Sequence, residues 1–465
     1  MNAHYHLLVV DAFMQTELPV RVSDMILRSN TIELYDKMWV ADELKIYAEN
    51  LSINNNLTLG RKEFHGSEEF STEYGQYSWD YNVAPNLKYF TNNAMLTVPQ
   101  HANFVNVENN SYVSWVNNGN IAAQDIYVKS KNISNYGLLN SQGSVVLNAD
   151  SIVLQDGLIE TEQSLVINSS NLKFSSQTNI IKGNIIFNIS NIVTDGNIES
   201  GNYIETHGGI ELRTKPKFGD MLGTEIVLQT SDYTTQHIIW NADDKGLNTS
   251  GYENNAAIGR LSLVNARNSK FKFSSADTTG SKAIYIDYID FGVNEEKLMF
   301  EDRIETVDIA DNITVYFSAS NLPAELLDGM YGGRLKWINF PGNFSSMPVY
   351  MNKLNKTYFV NKAFRQSLYI DTDNDGTANG FDLTPFGDGV PSVVSTERLG
   401  NKKIEIQWLA FPNSIYRVEY KDEITEDWRL LNEFVYEGIS VGNAVFIDSY
   451  SKKSESGFYR LKYIE

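Results

Sequence analysis

Three consecutive blocks of about twenty residues decide the fold: SVVLNADSIVLQDGLIETEQ (residues 144–163), SLVINSSNLKFSSQTNIIKG (164–183) and NIIFNISNIVTDGNIESGN (184–202). In each block, apolar and polar residues alternate in two short runs, which is the period of a half-buried strand and not of a helix. Aligned blocks give four mainly apolar columns: Val145, Leu165 and Ile185; Leu147, Ile167 and Phe187; Ile152, Leu172 and Ile192; Leu154, Phe174 and Thr194. Because one block alone cannot bury its apolar face, the repetition predicts stacked coils with one shared core, which we interpret as a parallel β-helix.

A polar column accompanies the apolar ones, because Asn148, Asn168 and Asn188 follow the second apolar residue of each block. Asn tolerates the backbone conformation of a corner, and stacked Asn side chains can hydrogen-bond from coil to coil as a ladder. The alternative is that these positions only reflect the abundance of Asn in this chain. The shared period favours the ladder, and in either case the residues are architectural.

The size and charge of the chain limit the classes of function. Its 465 residues, 42% of them hydrophobic, suffice for a large core and are too many for one compact domain unless that domain is elongated. The 58 acidic and 38 basic residues give a net charge of −20, which repels phosphate backbones and anionic membrane surfaces, so nucleic acid is not an expected partner. The absence of cysteine excludes disulfides, thiol catalysis and cysteine-type zinc sites; it fits an exported bacterial protein and is also compatible with a cytosolic one.

The first twenty residues, MNAHYHLLVVDAFMQTELPV, lack the basic region, apolar core and cleavage site of a signal peptide. No later segment is long and apolar enough to span a bilayer, so membrane insertion is not expected. The solenoid pattern begins within about two dozen residues, although a solenoid needs a cap over its first coil. We therefore expect Met1 to be an internal start within a longer exported protein, and capping by residues 4–20 is the alternative.

The first two coils are DMILRSNTIEL, which begins at Asp24, and ELKIYAENLSI, which begins at Glu43, nineteen residues later; coils resume by Ser111. Residues 61–89 interrupt the pattern with KEFHGSEEFSTEYGQYSWDYNVAPNLKY, which has no steady period and is interpreted as a loop excursion from one coil. Long loops on a rigid scaffold often carry function, and these aromatic and acidic residues have the composition of a surface that stacks on sugar rings. Packing of the same aromatics over the coil is the alternative.

Glycine-containing corners recur through this region, as in NNGNI and TDGNI. Gly119, Gly137, Gly157 and Gly196 occupy matching corners, which we expect to require positive φ. Over residues 25–210 these motifs resemble the β-helical repeats of bacterial surface and secreted proteins of the filamentous-haemagglutinin and autotransporter type. The resemblance implies the same architecture and an exported, often adhesive, role, but no particular ligand.

The predicted fold class is all-β: a right-handed parallel β-helix with coils of about 20 residues, followed by a small antiparallel β-sandwich. The β-helix is assigned to residues 1–365. After residue 213, strands such as TEIVLQT and AIYIDYIDFGV continue at wider spacing. Either the coils there carry larger loops, which we favour, or the solenoid ends against a capping region.

The segment DTDNDGTANGFDLTPFGDG, within a predicted linker at 366–389, is the most specific motif of the chain. Its acidic side chains stand at positions 1, 3, 5 and 12 of a loop, and Gly376 at position 6 permits a sharp turn. Calcium takes six to eight oxygen ligands, which alternate Asp side chains and a backbone carbonyl can supply. The candidate calcium ligands are Asp371, Asp373, Asp375, the carbonyl group of Thr377, and Asp382.

This motif lacks the final Glu and the flanking helices of an EF-hand. It resembles the calcium-binding thrombospondin type 3 repeat, in which Asp is followed shortly by Pro, as Asp382 is by Pro385. The resemblance implies calcium as the cofactor of a calcium-binding linker. The sequence departs from the repeat at Asn379, where another Asp is usual, and we expect this to weaken the site; a plain acidic linker is the alternative.

Residues 390–465 are predicted to form the antiparallel sandwich, because KKIEIQW, SIYRVEY, DWRLL, NAVFID and GFYRLKY alternate at intervals of about ten residues. The region resembles the C-terminal fibronectin-like β-sandwich modules of large secreted bacterial proteins. The residues that carry the resemblance are Trp408, Pro412, Tyr416, Trp428, Phe458, Tyr459 and Arg460. We expect the aromatic side chains among them to lie mainly in the core.

A catalytic site has little support in the sequence. Asp243 and Asp244 form an adjacent acidic pair, and paired carboxylates at a suitable separation can serve as acid and base in glycoside hydrolysis. The chain lacks the Gly-His-Gly and late Arg-x-Lys of the polygalacturonase-like pattern, and His207 precedes the pair instead of following it. We therefore assign no catalytic residue.

The sequence favours a structural or adhesive region of a secreted or cell-surface bacterial protein that presents loops on a rigid solenoid. The expected partners are polysaccharides or glycans on a host or neighbouring cell surface. The alternative is a carbohydrate-active β-helix enzyme, either a polysaccharide lyase or a glycoside hydrolase.

Overall fold

The computed structural model describes residues 6–10, 20–28, 31–35, 37–47, 50–59, 80–82, 88–98, 101–104, 112–194, 201–277, 279–292, 299–300, 303–351, 355–387, 393–399, 403–438, 441–448 and 457–464. Regular structure in these residues is almost entirely β-strand, which confirms the predicted all-β class. Most of the predicted loop excursion at 61–89 and of the predicted cap at 4–20 lies outside the described residues.

The chain divides into two compact units, and each is described by itself. The first unit comprises Met1–Ile286 with Asp290–Tyr316, and the second comprises Asp287–Ile289 with Phe317–Glu465. The boundaries proposed from the sequence, at residues 365 and 389, stay predictions.

One long parallel sheet runs through the first unit, and from β12 to β26 it takes every second strand of the chain, with strands numbered in chain order. Its pairings follow the sequence, so each strand lies beside the strand of the next coil. In spatial order the strands are β1 (His6–Val10), β2 (Val20–Arg28), β4 (Met38–Tyr47), β6 (Leu57–Leu59), β9 (Met95–Thr97), β12 (Asn120–Ala123), β14 (Leu138–Ser141), β16 (Leu158–Thr161), β18 (Thr178–Ile181), β20 (Asn202–Thr206), β22 (Met221–Gln229), β24 (Ile258–Val264) and β26 (Ala283–Asp290).

The strands between them form a second parallel sheet. Its order is β3 (Thr31–Leu34), β5 (Asn50–Ile53), β8 (Tyr89–Asn92), β11 (Tyr112–Asn117), β13 (Asp125–Asn135), β15 (Val145–Gln155), β17 (Leu165–Ser175), β19 (Ile185–Thr194), β21 (Ile210–Leu212), β23 (Thr235–Trp240), β25 (Lys270–Ser274) and β29 (Val307–Ile309), with β10 (His101–Phe104) joining β13 to β7 (Asp80–Asn82). Because the chain visits the two sheets alternately, each pair of strands is one coil, and the predicted parallel β-helix is confirmed.

Several further elements of regular structure precede the hairpin of the second unit or directly follow it. They are β27 (Met299–Phe300), β28 (Arg303–Ile304), β30 (Thr314–Ser320), β31 (Leu335–Trp337), the 3-10 helix Thr249–Tyr252, and the helices α1 (Ala324–Leu327), α2 (Met330–Gly333) and α3 (Lys362–Arg365).

The four apolar columns read from the sequence are the cross-strand neighbours of the central coils. Val145 pairs with Leu165, and Leu165 pairs with Ile185; the other three columns match in the same way. Leu147 and Ile167 have no exposed surface, like most of these side chains. Full burial of one such side chain contributes about 1.5–3 kcal/mol, so the columns are the main stabilising element of the solenoid.

The predicted Asn ladder is also present. Asn188 Nδ2 donates to Asn168 Oδ1 at 2.6 Å, and Asn168 Nδ2 donates to Asn148 Oδ1. These three side chains are only partly buried, so water competes for their hydrogen bonds.

A second ladder, which the sequence analysis missed, runs through the interior. Asn92 Nδ2 donates to Asn117 Oδ1, and Asn117 Nδ2 donates to Asn135 Oδ1, each at 2.8 Å. All three side chains have no exposed surface. The spacings along the chain are 25 and 18 residues, so these positions fall in no twenty-residue column.

The glycine corners are explained by close approach of neighbouring coils. Gly119, Gly137 and Gly157 do not have positive φ, so that expectation is wrong for them; Gly196 lies outside the described residues. A Cβ added at Gly137 would lie 1.9 Å from the carbonyl oxygen of Gly119 in the preceding coil. The left-handed conformation instead falls one residue earlier in the third corner, at Asp156 with φ of 53°.

The second unit contains a hairpin, β32 (Ser346–Met351) and β33 (Lys356–Asn361), and six further strands. These strands form two antiparallel sheets, which confirm the predicted sandwich: β34 (Val393–Leu399), β35 (Lys403–Ala410) and β38 (Gly442–Asp448) in one, and β37 (Arg429–Tyr436), β36 (Ser414–Lys421) and β39 (Phe458–Ile464) in the other. Trp408 and Tyr416, one from each sheet, are fully buried in its core, as expected. Phe458 is 43% exposed, so its assignment to the core is wrong.

A buried carboxyl group organises the polypeptide before the hairpin. Asp287 has no exposed surface; its Oδ2 accepts from the backbone N of Phe344 at 2.7 Å, and its Oδ1 accepts from the hydroxyl of Ser345. Burial raises the pKa of Asp287 to about 6, although these hydrogen bonds act in the opposite direction. Both oxygens are used to hold the segment around Ser345, so the group is architectural.

The two Asn ladders provide a matched test of burial. Replacement of Asn117 by Ala leaves Asn135 Oδ1 without that donor in a site that water cannot reach, so we expect a loss of about 2–3 kcal/mol in the free energy of unfolding. Replacement of Asn168 by Ala is expected to cost about 1 kcal/mol, because water can take over the hydrogen bonds. Denaturant-induced unfolding of both variants measures the difference. A larger loss for Asn168→Ala than for Asn117→Ala would contradict the assigned roles.

Candidate functional site

The acidic loop, residues 371–382, is separated from helix α3 by residues 366–370 and folds back on itself. The backbone N of Asn379 donates to the carbonyl oxygen of Ile370, and the backbone N of Gly380 donates to that of Ser367, both at 2.7 Å. The guanidinium group of Arg365 donates to the carbonyl oxygens of Asn379 at 2.6 Å and Asp382 at 3.2 Å. The base of the loop is therefore fixed by hydrogen bonds within the second unit.

Three of the predicted ligands come together. Side-chain oxygens of Asp371, Asp373 and Asp375 lie within 4.8 Å of one another. The backbone N of Gly376, a residue with φ of 95°, donates to Asp371 Oδ2 at 2.8 Å, so the predicted sharp turn is present at this glycine. The backbone N of Gly387 donates to Asp373 Oδ2 at 2.6 Å, which ties the cluster to the end of the loop.

The other two predicted ligands, Thr377 and Asp382, are not part of this three-carboxylate cluster. The backbone N of Thr377 donates to Asp375 Oδ1 at 2.8 Å, so this residue follows the cluster around the turn. Asp382 does not belong to the group of oxygens within 4.8 Å, and its Oδ1 accepts from the backbone N of Thr384 at 2.8 Å. Its negative charge nevertheless contributes to raising the pKa of Asp373.

Partial burial raises the pKa of Asp373, and the negative charges of Asp375 and Asp382 raise it further. Backbone hydrogen bonds from Gly387 and Asp375 oppose this shift. The carboxylates of the loop therefore repel one another when they are ionised, and a bound cation would reduce this repulsion.

Two carboxylate oxygens in the loop are buried and lack a donor. Among the described residues, neither Asp371 Oδ1 nor Asp382 Oδ2 has a hydrogen-bond partner. A buried anionic oxygen without a donor is costly, and a hard divalent cation is bound by carboxylate and carbonyl oxygens of this kind. The residues present therefore fit a calcium ion, with Asp371, Asp373 and Asp375 as the group best placed to hold it.

Asn379, which appeared in the sequence as a departure from the calcium repeat, points into the protein and is fully buried. Its Oδ1 accepts from the backbone N of Thr372 at 2.9 Å, and its Nδ2 donates to the carbonyl oxygen of Phe364 at 2.8 Å. A carboxylate could not make the second bond, so the amide is required by the fold of the loop.

Sequence reasoning missed the residues that anchor the loop. Arg365 was not singled out, although a basic residue just before an acidic loop is a visible signal. Phe386 is 1% exposed and packs in a core with Tyr358 of the hairpin and Leu409 and Phe411 of the sandwich. Nothing in the local sequence distinguishes Phe386 from a solvent-exposed loop aromatic.

The acidic pair of the first unit is divided between two sets of partners. Asp243 pairs with Lys215 at 2.6 Å and with Lys282 at 3.3 Å. Asp244 Oδ1 accepts from the hydroxyl of Tyr316 at 2.9 Å and from the backbone N of Gly246 at 2.7 Å. Both carboxylates therefore hold neighbouring parts of the chain.

No family model, curated protein or solved structure matches this chain. Within the described residues, no helix is long and apolar enough to cross a membrane. The function is therefore proposed from the chemistry of these sites together with the resemblance of the sequence motifs, and not from a matched relative.

Proposed function

We propose that this chain is a structural and adhesive region of a secreted or cell-surface bacterial protein, and that a calcium ion secures its loop at residues 371–382. Glycans or polysaccharides are the proposed partners. The observation that carries the proposal is the cluster of three carboxylates, of which Asp371 has a buried oxygen without a donor, in a loop whose base is fixed by hydrogen bonds.

The parallel coils support a structural role. Each coil contacts its two neighbours through continuous columns and hydrogen-bonded strands, so the scaffold is stiff and its loops are held at fixed positions. Rigid scaffolds with variable loops are a common basis for binding surfaces.

The surroundings of the acidic loop support an adhesive role. Tyr369 and Phe381 are each 71% exposed, and they flank the hydrogen-bonded segment that closes the loop. Exposed aromatic rings offer an apolar face on which sugar rings can stack. Ordering of the loop by calcium would fix these rings for binding.

Calcium binding has a direct test by titration calorimetry. We expect the wild-type protein to bind calcium with a dissociation constant of roughly 10⁻⁴ to 10⁻³ M, as extracellular modules do. The double variant Asp373→Asn with Asp375→Asn is expected to lose this binding. The control, Glu423→Gln with Asp427→Asn, removes the same charge from an exposed part of the second unit and is expected to bind as the wild type does. Equal calcium uptake by the two double variants would contradict the site.

The pH dependence of calcium stabilisation follows from the raised pKa of Asp373. In the absence of calcium, a raised carboxyl pKa stabilises the folded state at low pH, and this contribution is lost as the pH rises through the folded-state pKa. Calcium relieves the repulsion that develops in the ionised loop, so its increase of the melting temperature is expected to be larger at about pH 7 than at about pH 4. Melting curves in calcium and in chelator measure it. A larger calcium effect at the lower pH would contradict the assignment.

The adhesive role is separated from the enzymatic alternative by a panel of plant and algal polysaccharides. Binding without new reducing ends or unsaturated products is expected, with binding weakened by Tyr369→Ala and Phe381→Ala. Exposed Tyr233, in the first unit, provides the matched aromatic control as Tyr233→Ala. Turnover of any polysaccharide would contradict the adhesive proposal.

A further inference from the structure

A polar cleft lies in the first unit, among the loops that connect strands β21 to β24. Its volume is about 530 Å³, which is within the usual range for small-ligand sites. The lining residues that carry the inference are Lys215, Lys217, Lys245, Ser250, Glu253 and Asn254. Three lysines converge here in a chain whose net charge is −20.

The floor of the cleft holds one carboxylate among three ammonium groups. The Asp243 carboxylate lies 2.6 Å from Lys215 Nζ, 3.3 Å from Lys282 Nζ and 4.0 Å from Lys245 Nζ. Partial burial acts to raise the pKa of Asp243, but hydrogen bonds from Lys215 and Lys282 outweigh it and lower the pKa. Lys282 is 4% exposed and also pairs with Asp277 at 2.8 Å. Its ammonium group is therefore held by two carboxylates and is not available to a ligand.

Lys217 and Lys245 leave positive charge at the mouth of the cleft. Lys217 is exposed, and among the described residues no carboxylate lies within ion-pair distance of its ammonium group. Lys245 lies at the limit of ion-pair distance from a carboxylate that two closer lysines already share. These two ammonium groups are therefore available to an anionic ligand.

The walls of the cleft are held rigidly. Asn255, which is 3% exposed, donates from Nδ2 to the carbonyl oxygen of Asp243 at 3.0 Å. Asn254 has φ of 52°, and its Oδ1 accepts from the backbone N of Gly219 at 3.0 Å. The backbone N of Lys245 donates to the Tyr285 hydroxyl at 2.8 Å. These hydrogen bonds hold the walls in place before a ligand arrives, which lowers the cost of ordering them on binding.

We propose that this cleft binds an anionic oligosaccharide, with Lys217 and Lys245 contacting the carboxylate or sulfate group of one sugar. Ser250, Asn254 and Glu253 supply hydroxyl, amide and carboxylate groups that complement sugar hydroxyls, which both donate and accept. Among the described lining residues, Pro216 is the one with an apolar side chain.

This inference goes beyond the proposed function, because it assigns a ligand class to a site in the first unit that shares no residue with the calcium loop. Binding at the cleft needs no calcium. It is therefore measured in chelator, where failure of the cleft is distinguishable from failure of the calcium site.

The test is titration calorimetry in low salt with three probes: trigalacturonate, which carries carboxylates; a sulfated carrageenan oligosaccharide; and neutral galactotriose. The wild type is expected to bind at least one anionic probe and not the neutral one, and the anionic probe that binds more tightly identifies the oxyanion. Lys217→Gln and Lys245→Gln are each expected to weaken that binding about tenfold, the effect of losing one charge-assisted hydrogen bond. Lys173→Gln removes an exposed lysine of strand β17 and serves as the control.

Unchanged affinity in Lys173→Gln, together with reduced affinity and an unchanged melting temperature in at least one cleft variant, would support the site. Binding of neither anionic probe, equal binding of the neutral probe, or equal weakening by Lys173→Gln would overturn it.

Discussion

In-register hydrogen bonding between consecutive coils is the constraint on which the first unit depends. The backbone N of Leu158 donates to the carbonyl oxygen of Gly137 at 3.0 Å, and the backbone N of Thr178 donates to that of Gly157 at 3.1 Å. The same contact repeats at the same corner, and it brings the coils so close that no Cβ fits at these glycines. The register in turn puts like side chains on top of one another, which produces the apolar columns and the Asn ladders.

Both candidate sites are formed by segments in which charged groups replace the repeating pattern. In the acidic loop, Asn379 and Arg365 fix the backbone while the carboxylates of Asp371 and Asp373 are left near one another. In the cleft, Asp243 and Lys282 form the floor while Lys217 stays exposed. In each case, hydrogen bonds and ion pairs from neighbouring residues fix the position of side chains whose charge is not fully compensated. Such preorganisation lowers the cost of binding an ion or ligand.

The fold was predictable from the sequence where its period is constant. The columns through Val145 and Leu147 were found because strand alternation and a twenty-residue period coincide there. The interior ladder through Asn117 was not found, because the coils on either side have other lengths. The corners at Gly119, Gly137 and Gly157 were located correctly but for the wrong reason, since a glycine required by close backbone approach looks the same in the sequence as one required by positive φ.

The sites were predictable only where their residues are close along the chain. Asp371, Asp373 and Asp375 form a visible motif, whereas the inward orientation of Asn379 depends on Phe364 and Thr372, which the motif does not include. The cleft combines lysines from position 215 to position 282, and only the fold brings them to one carboxylate. Separation along the chain is therefore what limited the prediction of function.

The coil register is tested most directly by disulfide trapping, for which a chain without cysteine is well suited. Val146 and Val166 are register partners on adjacent strands. Neighbouring strands are about 4.8 Å apart, within the Cα separation of a disulfide, whereas a shift of two residues increases the separation to about 8 Å. Val146→Cys with Val166→Cys is therefore expected to oxidise rapidly to an intramolecular disulfide, and Val146→Cys with Asn168→Cys is not. Equally fast or faster oxidation of the shifted pair would contradict the register and, with it, the shared core of the coils.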